Sequence, residues 1–266
     1  MLYKRVISGL LFLPIFYLVI WRLSPPYFTV LVLAAVAVGQ YEFYRMARAR
    51  GINPDTVLGS VMGALVVLES HHPLLFGMGK IYLAAGLLLI MIVRLFSPRP
   101  VEGAVEDISS TFTGIFYVAM LFSFQIAIRM GTNGKEWLVF LYFVIWASDI
   151  GAYSIGIPFG KHRLYEKISP KKSIEGFIGA LVASAGVALL CRRLWFMPPL
   201  GLWEAVVLGL VLAGVGTLGD LTESLLKRAA GVKDSGNLIP GHGGILDRMD
   251  SMMFAAPVLY YYLRIR

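Results

Sequence analysis

Long apolar stretches dominate the chain, interrupted by short clusters of charge, proline and glycine. Cut at those interruptions, the sequence yields nine apolar segments with approximate limits 6–22, 27–47, 56–71, 74–96, 108–130, 136–156, 173–194, 203–230 and 246–264. A helix needs about 20 such residues to cross the hydrocarbon core of a bilayer, so each segment reads as a candidate span. The third is short and the eighth long, which leaves eight or ten as alternatives. Breaks at Pro25-Pro26, Asn53-Pro54, His71-His72-Pro73, Ser97-Pro98 and Pro198-Pro199 favour nine. No internal repeat or low-complexity segment appears. The expected fold class is therefore all-α, a single polytopic membrane domain over residues 1–266.

Composition strengthens this reading. Of 266 residues, 58% are hydrophobic and only 15% charged, with a mean hydropathy of +0.73, which excludes an ordinary soluble domain. The net charge of +8 raises the possibility of nucleic acid. The basic residues lie between apolar runs, however, so membrane-surface electrostatics accounts for them and no nucleic-acid partner is expected. The lone cysteine, Cys191, cannot form an intrachain disulfide. Lys4 and Arg5 precede the first segment as in a signal peptide, but Trp21-Arg22-Leu23-Ser24-Pro25-Pro26 offers no small-residue cleavage site, so an uncleaved span is expected. Under nine spans, 16 of the 24 Lys and Arg residues fall on the side of the N-terminus. That bias predicts a cytoplasmic N-terminus and a cytoplasmic Ser224–Asp250 stretch.

Candidate chemistry is concentrated in residues 145–255. On the eighth segment Asp220, Glu223, Ser224 and Lys227 occupy one helical face. Acids at that depth normally face a cavity or a partner, and an internal Glu223–Lys227 pair is the plain alternative. A glycine-rich loop follows, through Lys233-Asp234 and Pro240-Gly241-His242-Gly243-Gly244 to Asp247-Arg248-Met249-Asp250. Two acids on each of two helices suit a hard divalent cation. Glycine lets backbone amides of the loop approach phosphate, although an ordinary interhelical turn explains the same glycines. Upstream, Asp149 and Tyr153 share a helix face, and Ser169-Pro170-Lys171-Lys172-Ser173 forms a basic, hydroxyl-rich ledge suited to phosphate. Glu42, near the end of the second segment, has Arg45 as its nearest expected partner. His71, His72 and His162 show no metal-ligand spacing.

The run from Ser224 through Lys227-Arg228, Lys233-Asp234-Ser235-Gly236 and Pro240 to Asp250 resembles the signature of the phosphatidate cytidylyltransferases, also called CDP-diacylglycerol synthases. Asp149-Ile150-Gly151-Ala152-Tyr153 and Ser169–Gly176 resemble that family's upstream motifs. The motif resemblance covers the last 120 residues or so; before Asp149 it rests on hydropathy and the Tyr41-Glu42 region.

The resemblance implies that CTP and phosphatidic acid give CDP-diacylglycerol and pyrophosphate, with Mg²⁺ required and a second cation left open. It places Asp220, Asp247, Asp250 and Lys227 in catalysis, and Asp220, Asp247 and Asp250 on the metal, with Glu223 and Ser224 as further ligands. Lys171, Lys172, Ser173, Arg228, Lys233, His242, Gly243, Gly244, Arg248 and Asp149 would line the phosphates, nucleotide or headgroup. Membrane lipids are expected partners, a homodimer is left open, and a bacterial inner membrane is the expected location. The alternatives are a nucleotidyl- or phosphotransferase for another lipid, and a cation-coupled transporter. The first lacks the Asp-Gly-x-x-Ala-Arg run of CDP-alcohol phosphotransferases. The second is expected to bind near the midplane, away from a glycine-basic loop.

Overall fold

Ser24 followed by two prolines sets the first long helix, since proline is tolerated in the first turn where its missing N–H has no partner to lose. This helix, α1 (Pro25–Arg48), is preceded by a π-helical turn at Leu18–Arg22. The structure is a computed structural model that describes residues 17–72, 79–194, 196–197, 199–236 and 243–266. Most of the expected first span, and Lys4 and Arg5 before it, lie outside them. After α1 come α2 (Thr56–His71), α3 (Gly79–Leu95), α4 (Ala104–Met130, π-helical at Gly114–Met120) and α5 (Gly134–Phe159). Strands β1 (Arg163–Tyr165) and β2 (Ser169–Ser173) lead to α6 (Ile174–Cys191), α7 (Leu202–Ala229) and α8 (Leu246–Ile265).

Among the described residues five helices are long and apolar enough to cross a membrane: α1, α4, α5, α6 and α7; α2 and α3 are shorter apolar helices. Their outward faces carry what water would not tolerate. On α2, for instance, Val57, Val61, Leu65 and Leu68 are exposed along one side, the surface of a helix whose solvent is lipid. Among the described residues the fold departs from all-α in a two-stranded hairpin. The expected basic ledge is half of an antiparallel hairpin, pairing Arg163 with Ser173 and Tyr165 with Ser169.

The chain divides into two compact units. The first comprises Met1–Ala127 and Ala229–Arg248. Its apolar core gathers Met62, Val66, Ile90 and Ile115. A buried polar knot ties three of its helices: Gln40 Nε2 donates to the carbonyls of Gly59 (3.0 Å) and Gly114 (3.3 Å), and the Tyr44 hydroxyl donates to that of Thr111 (3.0 Å). Side-chain hydrogen bonds of this kind hold helices together where lipid removes the hydrophobic drive.

The second unit comprises Ile128–Arg228 and Met249–Arg266. Here α5 and α6 pack antiparallel with their backbones in contact. A Cβ on Gly179 would stand 2.7 Å from the Gly151 carbonyl oxygen, and Ser184 Oγ donates to the Val144 carbonyl at 3.0 Å. Ser173 ends β2 and caps α6, accepting the Gly176 N–H at 3.1 Å. Helix α7 meets α8 as closely: a Cβ on Gly219 would lie 2.5 Å from the Asp250 carbonyl oxygen.

Candidate active site

Each unit holds one charged cluster that contains site residues expected from the sequence. That of the second unit lies where α7 and α8 touch. The close approach at Gly219 brings the next residue, Asp220, alongside Asp250, and β2 delivers Lys172 to the same place. Lys172 Nζ stands 2.5 Å from Asp220 Oδ2, with the two side chains 25% and 33% exposed. Asp250 feels the charges of Asp220, Asp149 and Lys172, and its Oδ1 accepts the Ser251 N–H at 2.6 Å. Ser224 Oγ donates to Asp220 Oδ1 at 3.4 Å, a long contact. Glu223, buried to 1% exposure, pairs with Lys227 one turn further along α7. The plain alternative for that pair is therefore the one observed. Lys171 is exposed on the hairpin, and Arg228 Nε reaches the Ile168 carbonyl at 3.5 Å.

In the first unit, the two described ends of the glycine-rich loop close on two acids, buried Glu42 and half-buried Asp247. Asp247 Oδ2 accepts the N–H groups of Ser235 (3.0 Å) and Gly244 (2.8 Å) and lies 2.9 Å from Ser235 Oγ. Glu42 comes from the far end of the sequence on α1. Its Oε1 accepts the Ile245 N–H (3.1 Å), and its Oε2 accepts the Leu246 N–H (3.1 Å) and lies 3.1 Å from Ser235 Oγ. The Ser235 hydroxyl has one proton to share between the two carboxylates. Arg45 Nη2 donates to the Ser235 carbonyl at 2.7 Å rather than serving Glu42, which corrects the expected Glu42–Arg45 pair. Three loop donors need an acceptor-only group, and Glu42 is the acid within reach. Gly243 has φ +82°, a left-handed conformation that side chains resist. Gly244 is packed so closely that a Cβ would collide with Ser235 Oγ and the Glu42 carboxylate. Lys233 and Arg248 are exposed, and His242 lies outside the described residues.

Sequence reasoning gave Glu42, Arg45 and Ser235 no role in the site, although it named Glu42 beside Arg45 and Ser235 within the signature run. The available signal was an acid inside an apolar helix, which by default marks a functional position.

A family model described as the cytidylyltransferase family matches residues 3–266. The chain belongs to the cytidylyltransferase family. It is 33% identical over 264 residues to the phosphatidate cytidylyltransferase of Bacillus subtilis, covering 98% of this chain and 97% of that protein. It is 36% identical over 269 residues to the phosphatidate cytidylyltransferase of Synechocystis sp., covering 89% and 88%. A phosphatidate cytidylyltransferase of Staphylococcus aureus is 43% identical over 154 residues, or 58% of each chain.

For a CTP-using nucleotidyltransferase the cluster of the second unit has the right donor chemistry. Asp220 pairs with Lys172 and stands near Asp250, with the charge of Asp149 also reaching Asp250. Among the described residues no group of three or more His, Cys, Asp or Glu side chains is placed to hold a metal ion. Two carboxylates are sufficient for Mg²⁺, which is commonly bound by one or two of them plus substrate phosphates and water.

Proposed function

We propose that this protein transfers the cytidylyl group of CTP to phosphatidic acid, giving CDP-diacylglycerol and pyrophosphate. The observation that carries the reading is the Lys172–Asp220 pair beside Asp250: an ion-rich cluster suited to cations and phosphates. Relatives named for this reaction and similar over nearly their whole length support it.

A phosphatidate oxygen attacks the α-phosphorus of CTP; a new P–O bond forms, the α–β bridge breaks, and pyrophosphate leaves with the bonding pair. The nucleophile is already anionic, so the chemistry needs neither a histidine base nor a serine nucleophile. Alignment and charge neutralisation are what the protein must supply. Lys171, Lys172, Arg228, Lys233 and Arg248 hold phosphates, with Lys227 fixed by Glu223. Asp149, Ser173, His242, Gly243 and Gly244 border the nucleotide or headgroup. Asp220 and Asp250 would hold Mg²⁺, with Ser224 beside Asp220. Asp247 Oδ2 serves the loop instead. When bound, Mg²⁺ supplies a Lewis acid that neutralises phosphate charge.

In this reading the chain has nine spans, a cytoplasmic N-terminus and a cytoplasmic active site in a bacterial inner membrane. Purified protein given each nucleoside triphosphate, with and without phosphatidic acid and Mg²⁺, tests the function. Pyrophosphate release that requires CTP, lipid and metal together is expected; release independent of the lipid, or none from folded protein, refutes it.

A further inference from the structure

We propose that Glu42, on α1, is a positioning residue for nucleotide binding: its carboxylate clamps both ends of the glycine-rich loop and fixes the start of α8. The inference rests on the reading above, in which Lys233 and Arg248, flanking that loop, hold phosphates, and assigns those phosphates to CTP.

Three features carry it. Glu42 is 2% exposed and Ser235 fully buried. A carboxylate sealed away from water is strongly disfavoured unless donors surround it, and here the donors are the Ser235 hydroxyl on one side of the loop and the Ile245 and Leu246 amides on the other. Those amides are at the N-terminus of α8, whose first N–H groups have no partner within the helix. Glu42 therefore occupies the place where a helix N-terminus would otherwise receive an anion, and phosphate recognition falls to the exposed cations Lys233 and Arg248 nearby in sequence. Finally, Gly236 and Gly244 pack against the Glu42 carboxylate with no room for a Cβ. The two loop ends are thus built around this one side chain, some 200 residues away in sequence.

The geometry specifies a carboxylate and no isostere. Each oxygen accepts at least one backbone N–H, so a glutamine in either flip sets its NH₂ against a donor. Aspartate keeps the charge and both acceptors but falls one methylene short.

The test uses the full-length enzyme in lipid or detergent, with KM for CTP and for phosphatidic acid measured separately, and amide exchange followed at Ile245 and Leu246. Glu42→Gln should raise KM for CTP by roughly tenfold, the effect of losing one charge-assisted bond. KM for phosphatidic acid should stay within about twofold, and exchange at the two amides should accelerate. Glu42→Asp should recover part of the loss. Ser235→Ala should shift KM for CTP in the same direction, and the double variant should fall short of the product of the two effects, because the side chains share a contact. Should Glu42→Gln fail to fold, Ser235→Ala carries the same kinetic comparison. Faster exchange with an unchanged KM for CTP, or equal rises in both KM values, overturns the positioning role. A wild-type enzyme that releases no pyrophosphate from CTP overturns the functional reading itself and this inference with it.

Discussion

Gly244→Ala probes the loop most directly. The added Cβ would collide with Ser235 Oγ and both oxygens of Glu42. Neither neighbour yields freely. If Ser235 turns away, its hydroxyl leaves Asp247 (2.9 Å) and Glu42 (3.1 Å). If Glu42 moves, the Ile245 and Leu246 amides lose their acceptor. The smaller of these costs is one hydrogen bond to a charged group, about 1.5–3 kcal/mol, in the same range as overpacking a tight site by a methyl group. At about 1.4 kcal/mol per decade, amide exchange at residues 244–246 should accelerate by roughly 10- to 100-fold, and KM for CTP should rise with it. Gly231→Ala provides the control. Gly231 has φ +71°, and a Cβ added there would meet nothing within 4 Å, so its cost is only left-handed strain, about 1–2 kcal/mol, with normal CTP kinetics. Exchange mass spectrometry and steady-state pyrophosphate release on both variants decide the matter. If Gly244→Ala matches Gly231→Ala in exchange and in KM for CTP, the loop is not held by these contacts.

The cluster of the second unit makes its own predictions. Asp220→Asn and Asp250→Asn should each lower CTP-dependent pyrophosphate release by roughly 100-fold or more, the scale of removing one electrostatic group from a transition state, with folding intact by thermal unfolding; near-normal rates in both refute the cation role. Lys172→Met removes the ammonium 2.5 Å from Asp220, so turnover should fall while the Mg²⁺ concentration for half-maximal rate decreases, because lysine and metal compete for one carboxylate. An increase in that concentration contradicts the competition. Gly179→Leu should strongly destabilise the protein, since even its Cβ would meet the Gly151 carbonyl at 2.7 Å; an unchanged unfolding midpoint counts against the tight α5–α6 contact. Ser184→Ala removes a buried bond to the Val144 carbonyl. Its cost should be only about 0.6 kcal/mol, the average for such bonds in membrane helices, leaving turnover unchanged in the same assay.

Most helix limits were legible because charges and prolines interrupt the apolar runs where the helices end. The segments expected at 56–71 and 203–230 appear as Thr56–His71 and Leu202–Ala229, and that at 136–156 as Gly134–Phe159. The β-hairpin was hidden for a physical reason: Ser169-Pro170-Lys171-Lys172-Ser173 has no alternation of apolar and polar residues, and its pairing is imposed by the short chain between α5 and α6. The acids divide along the same line. Glu223 finds Lys227 on its own helix, a contact that spacing alone suggests. Asp247 and Asp250, three residues apart on α8, look equivalent in sequence, yet Asp247 accepts the loop amides while Asp250 answers to Asp220 and Lys172. Glu42 is the extreme case, because a local cation, Arg45, stood ready to explain it. A neighbour in sequence satisfies a charge on paper, but a carboxylate within an apolar helix takes whichever donors the fold brings to it. Here those donors are Ser235 and the Ile245 and Leu246 amides, some 200 residues along the chain, which ties an acid on α1 to the start of α8.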